Sequence, residues 1–101
     1  MLYAILYNIR SLHNVGSIFR TADAAGVGKI YLCGITGTPP RKEIAKVALG
    51  AEQTVPWEYV RRTGDVIRKL KKQGVYIVAL EKTKTSIDYR LARVPLVATR
   101  G

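Results

Sequence analysis

Apolar positions along the chain follow two rhythms that alternate. Residues 2–7, 29–34, 75–80 and 96–99 are short runs rich in Leu, Ile, Val and Tyr, with the length and composition of buried strands. Between them, apolar residues recur every three or four positions. Val15, Ile18, Phe19 and Ala22 stand at i, i+3, i+4 and i+7, which makes one stripe of an amphipathic helix over residues 15–25. Helices are likewise predicted over residues 41–49 and 64–73, and each of the three ends close to a glycine suited to a left-handed cap. A short strand is expected around Val55. Strands alternating with helices predict an α/β fold, a parallel sheet with helices on both faces. With 101 residues and 48% apolar content, a single domain over residues 1–101 with a modest core is expected.

Charge changes the picture. Seventeen Lys and Arg stand against seven Asp and Glu, a formal net charge of +10. Such a field favours a polyanionic partner, and nucleic acid is the leading one. No run is long or apolar enough to span a bilayer, and residues 1–7 lack the basic leader of a signal peptide. No membrane association is expected, and the cytoplasm is the expected location. Cys33, the only cysteine, has no partner for an internal disulfide and reads as a small core residue. His13, the only histidine, has no acid or cysteine at ligand-like spacing, so it reads as a polar turn residue and no metal site is expected. Gly34 and Gly37 fit neither a phosphate-binding P-loop nor a dinucleotide fingerprint, which disfavours nucleotide hydrolysis.

Candidate chemistry concentrates in residues 8–22, where a strand end, a polar turn and a helix start follow one another. Asn14 is positioned to cap a helix beginning at Val15. Arg20 lies off the buried stripe, and Gly16 sits one turn before it on the same flank. From this spacing the guanidinium is expected over a site cleared of side chain, with room for a ligand. The bland alternative for Arg20 is a surface pair with Asp23 at i+3. The loop at residues 34–40 carries two glycines and two prolines and follows a strand carboxyl end, where ligands collect in open parallel sheets. Arg41, Lys42 and Lys46 follow it and are expected to contact phosphate. Arg61, Arg62, Arg68, Lys69, Lys71 and Lys72 form the densest basic patch, read as a mainly solvated face. Trp57 and Tyr59 suit either base stacking or packing.

Residues 8–22 fit the pattern N-x-R-S-x-x-N-V-G-x-x-x-R-T-A, which resembles the first motif of the SpoU (TrmH) family of RNA ribose 2'-O-methyltransferases in the SPOUT superfamily. The likeness continues through Asp23 to Val27, through Leu49, Gly50, Ala51 and Glu52 with Val55, Pro56 and Trp57, and at Leu80 to Thr83. The resemblance implies a Rossmann-like N-terminal part of an α/β-knot methyltransferase domain. It implies S-adenosylmethionine as methyl donor, transfer or ribosomal RNA as substrate, and a homodimer. By position, Arg20 and Asn14 match the family's active-site arginine and asparagine. Arg10 matches a further family position and joins Arg41, Lys42 and Lys46 as an expected RNA contact. Glu52 recurs in the family and reads here as a helix-end or interface contact.

Gly101 falls where the family's Gly-Asn-Glu second motif begins. If Gly101 is the glycine of that motif, the resemblance implies that the knot-forming segment lies outside residues 1–101, which are then expected to hold no donor-binding residue unless Gly101 is the first, and not to methylate alone. Two rivals need no donor. One is a non-enzymatic basic RNA-binding α/β module, and the other is a self-associating scaffold fragment.

Overall fold

A computed structural model describes residues 2–82 and 89–93. Five strands form one sheet in the order β3-β2-β1-β4-β5: β1 (Leu2–Tyr7), β2 (Lys29–Cys33), β3 (Trp57–Val60), β4 (Tyr76–Lys82) and β5 (Tyr89–Arg93). The first four are mutually parallel, with Ala4 opposite Ile30 on one side and Val78 on the other. Central β1 is buried through Ala4, Ile5 and Leu6, as expected of a strand covered on both faces. β5 departs from the expected all-parallel sheet, because it pairs antiparallel to β4 at the edge. The strand expected over residues 96–99 lies outside the described residues.

Alternation along the strands sorts the core into two layers. Ala4, Leu6, Ile30 and Leu32 meet α1 (Leu12–Ala25), α2 (Lys42–Ala48) and α3 (Ala51–Thr54) through Val15, Phe19, Ala22, Ile44, Ala48 and Ala51. Ile5, Tyr31, Cys33 and Ile77 meet Val66 and Leu70 of α4 (Thr63–Gln73) on the other face. Helices thus cover both faces. Burial raises the Cys33 thiol above its ordinary pKa, which keeps it protonated and inert.

Two boundaries differ from the sequence reading. α1 begins at Leu12, and its N-cap is Ser11, whose hydroxyl accepts from the Asn14 amide at 3.1 Å. Asn14 therefore sits inside the first turn. Both residues are competent caps; Ser11 prevails as Leu12 packs against the core one turn earlier. For the same reason His13 is helical rather than part of a turn. The short strand expected around Val55 is β3, which begins two residues later, Val55 being the C-cap of the four-residue α3.

At the β3 edge, Lys29 Nζ lies 2.9 Å from Glu58 Oε1 and 4.8 Å from the centre of the Tyr31 ring. The hydrogen bond holds Glu58 below its ordinary 4.5 and lifts Lys29 above 10.5. The stabilisation is thus complete between those two values. It fades as pH falls through the lowered Glu58 value or rises through the raised Lys29 value. Since the Glu58 side chain is 44% exposed, solvent screening limits the pair, and Glu58→Gln is expected to cost less than about 1 kcal/mol. Urea melts of the two proteins at neutral pH and near pH 3 should show the difference shrinking in acid.

Candidate RNA-facing groove

Arg20 is exposed on α1 and lines an open groove of about 510 Å³ with His13, Glu43, Lys46, Val47 and Leu49. His13 and Arg20 are seven residues apart, close to two full turns, so they share one side of α1. Glu43, Lys46 and Val47 face them from α2. Asp23 is not paired with Arg20 among the described residues; its Oδ1 accepts from the Thr54 hydroxyl at 3.3 Å instead. The surface-pair alternative for Arg20 is therefore not what the structure contains.

Gly16 does not open the space expected of it. A Cβ there would lie 2.6 Å from the Ile44 carbonyl oxygen and 3.0 Å from Val47 Cβ. Gly16 is buried under α2, and its bare backbone lets the two helices approach until Arg20 and Lys46 share a groove. Periodicity places Gly16 on the correct flank but is silent on what a second helix does there. Gly16→Ala is expected to cost about 1–3 kcal/mol, because the obstructing atoms are backbone and the helices must separate. A lowered urea midpoint at unchanged slope would register it.

The other expected RNA contacts are dispersed. Arg10 is exposed in the β1–α1 connection, and Arg41 and Lys42 are exposed at the start of α2; only Lys46 shares the groove with Arg20. Asn14 is half-buried and lies six residues from Arg20, about 120° away around α1. The structure thus places Asn14 and Arg20 on different flanks. On the basic helix α4, part of the charge is used internally. Arg68 pairs with Asp65, and Lys69 Nζ lies 5.9 Å from the Tyr31 ring centre.

Two residues that carry the groove's framework were not singled out in the sequence. Asn8, at φ 54, accepts the Ile35 amide on its Oδ1 at 3.0 Å. Thr36, 4% exposed, accepts the Ile9 amide at 3.1 Å and directs its hydroxyl to the carbonyls of Cys33 at 2.8 Å and Leu6 at 3.2 Å. Together they fasten the β1–α1 connection to the β2–α2 loop. Gly34, at φ 65, is required beside Asn8, because a Cβ would collide with Asn8 Oδ1.

A methyl donor with a sulfonium centre needs an environment that tolerates positive charge. At the carboxyl ends of β1 and β4 a groove of about 430 Å³ is lined, among the described residues, by Tyr7, Ala79, Leu80, Arg61, Arg62 and the start of α4. Glu43 in the Arg20 groove is outnumbered by Arg20 and Lys46. Neither of these two grooves carries a net negative charge among the described residues. Gly101 lies outside them. No group of His, Cys, Asp and Glu among the described residues is arranged to hold a metal ion.

A parallel α/β sheet with a cationic groove beside its first helix defines an α/β protein equipped to meet a polyanion. The chain belongs to the SpoU rRNA methylase family, whose model matches residues 1–97. It is 38% identical over 89 residues to the 23S rRNA (guanosine-2'-O-)-methyltransferase RlmB of Vibrio vulnificus, a match covering 88% of this chain and 36% of that protein. A putative TrmH family tRNA/rRNA methyltransferase of Staphylococcus saprophyticus is 37% identical, with 85% and 34% covered. The chain thus spans about a third of the length of these relatives. An AdoMet-bound rRNA methyltransferase from Sinorhizobium meliloti shares the fold at a TM-score of 0.69 and 23% identity, covering 98% of this chain and 43% of that one. The SpoU methyltransferase AviRb from Streptomyces viridochromogenes, in complex with AdoMet, matches at a TM-score of 0.73 and 15% identity, with 87% and 43% covered.

Proposed function

We propose that residues 1–101 supply the ribose-activating part of an S-adenosylmethionine-dependent RNA 2'-O-methyltransferase acting on ribosomal or transfer RNA. The observation that carries this reading is Arg20, exposed on a groove with Lys46 and not neutralised by Asp23. A fixed guanidinium there lowers the cost of a developing 2'-oxyanion, and Lys46 meets an adjacent phosphate. Asn14, half-buried in the first turn of α1, joins the site from its other flank. Arg10, Arg41 and Lys42 extend the positive surface along the RNA backbone. The donor is held by groups other than the described ones. Residues 1–101 are read as one partial methyltransferase domain.

The reading includes a homodimer in the cytoplasm. Leu49 supports the dimer, since it is 67% exposed beside the Arg20 groove and held at φ 54, an uncommon backbone state for a large apolar residue. Among the described residues no helix is long and apolar enough to cross a membrane.

The test is incubation of protein that carries residues 1–101 within a whole methyltransferase with labelled S-adenosylmethionine and ribosomal or transfer RNA, followed by alkaline hydrolysis. Label in an alkali-resistant dinucleotide marks a methylated 2'-hydroxyl and supports the reading; label confined to bases overturns it. A second reading, a non-enzymatic RNA-binding module, is favoured by the cationic Arg20 groove, which meets phosphate without any donor. Methyl transfer by protein that carries residues 1–101 separates the two: RNA affinity with no turnover in any such protein would select the module.

A further inference from the structure

We propose that the slot between the β2–α2 loop and α3 is a guanine-reading subsite for a base of the RNA substrate, an inference that rests on the RNA reading above. The slot, about 340 Å³, is lined by Pro39, Pro40, Ala45, Glu52, Gln53 and Trp57, and its size is that of an ordinary small-molecule site. Its walls are an indole and two proline rings, flat apolar surfaces of the kind on which RNA bases stack. Glu52 is the discriminating group. Its Oε1 is buried and has no hydrogen-bond partner among the described residues, a costly state for a carboxylate oxygen unless a donor reaches it.

The chemistry of the slot selects the base. An ionised carboxylate only accepts, so its partner must present donors. Guanine alone among the four bases offers two adjacent donors, N1–H and the N2 amino group, on its Watson–Crick edge. Gln53 adds an amide that can donate to guanine O6. Adenine and cytosine offer one donor beside an acceptor, and uracil one donor between two acceptors. Arg41 and Lys42 directly follow Pro40 and are exposed, so phosphates flanking a base in the slot meet cations.

This is not the ribose site. Ala45 faces the slot, whereas Glu43 and Val47 face the Arg20 groove. Each lies two residues from Ala45, about 200° around α2. The two grooves flank the helix, and the slot reads a base near the methylated nucleotide rather than the nucleotide itself.

Trp57 is the only tryptophan of the chain, so its emission reports on the slot directly. The experiment titrates the protein with fluorescein-labelled pentanucleotides, UUGUU and its inosine and adenosine counterparts, following Trp57 emission and label anisotropy together. The guanine oligonucleotide is expected to change Trp57 emission saturably. Inosine, which lacks the N2 amino group, should bind about 10-fold more weakly, the scale of a lost bidentate contact. Glu52→Gln should abolish the difference between guanine and inosine. Equal affinities for the guanine and inosine oligonucleotides in the unmodified protein overturn the subsite, even if Glu52→Gln fails to fold. Anisotropy changes with no Trp57 response overturn the subsite and leave the RNA reading standing. No anisotropy change with any RNA, these oligonucleotides and a ribosomal fragment alike, overturns both.

Discussion

Arg20→Ala is expected to abolish methyl transfer, with kcat reduced by about 10²- to 10³-fold or more, the scale seen when one preorganised donor to a developing oxyanion is removed. The measurement is single-turnover transfer of labelled methyl to RNA by protein that carries residues 1–101 and shows turnover. Stability should stay within about 0.5 kcal/mol, because Arg20 is exposed and forms no ion pair among the described residues. The split between kinetic constants separates two roles for the cation. An arginine that only anchors phosphate contributes equally to ground and transition states, so its loss raises KM and spares kcat. An arginine that meets the 2'-oxygen as charge develops contributes mainly to the transition state, and its loss falls on kcat. Arg20→Lys keeps a charge without the planar fork and should recover part of the rate. Full turnover in Arg20→Ala would remove Arg20 from the chemistry.

Much of the scaffold was legible because it is local. Runs of β-branched and aromatic residues mark β1, β2 and β4 without tertiary information, and the period of Val15, Phe19 and Ala22 marks the buried side of α1. β5 was missed because Tyr89–Arg93 places its arginines three positions apart with two apolar residues between them, so the period-two alternation that marks a strand is absent. α3 was missed because four residues are too few for a helical period to show. The larger losses concern relations between segments. Gly16 was read as clearing space on α1, but the space is taken by α2, and nothing in residues 8–22 encodes that neighbour. The hydrogen bonds of Asn8 and Thr36 join residues 27 positions apart, beyond any local pattern. Lys46 was expected near the RNA by its place after a loop, and it does share the groove with Arg20. Asn14 was expected at the helix cap and lies within the first turn of the helix, on a different flank from Arg20.

Those loop bonds make Thr36 the position at which stability and site geometry are most closely coupled. Its hydroxyl accepts from the Ile9 amide and directs one hydrogen toward the Cys33 and Leu6 carbonyls, in a place only 4% exposed. Thr36→Val preserves shape and removes all of these bonds. A buried Ile9 amide is left without its acceptor, and the unpaired group carries a desolvation penalty besides the lost bond. A loss of roughly 2–4 kcal/mol is expected, larger than that of Gly16→Ala. A fall in the urea midpoint at unchanged slope would report it. Thr36→Ser, which retains the hydroxyl, should stay much closer to the parent; equal losses in the two variants would assign the effect to packing instead. The consequence reaches the site, because Thr36 ties down both the connection that carries Arg10 and the loop that leads through Pro39 and Pro40 into α2. Loosening that tie frees α2 to move relative to α1, and with it Lys46 relative to Arg20. Thr36→Val is therefore expected to weaken RNA binding, while Thr36→Ser leaves it intact. A valine variant that is less stable but binds RNA as tightly as the parent would show that the groove is held by the α1–α2 contact at Gly16 alone.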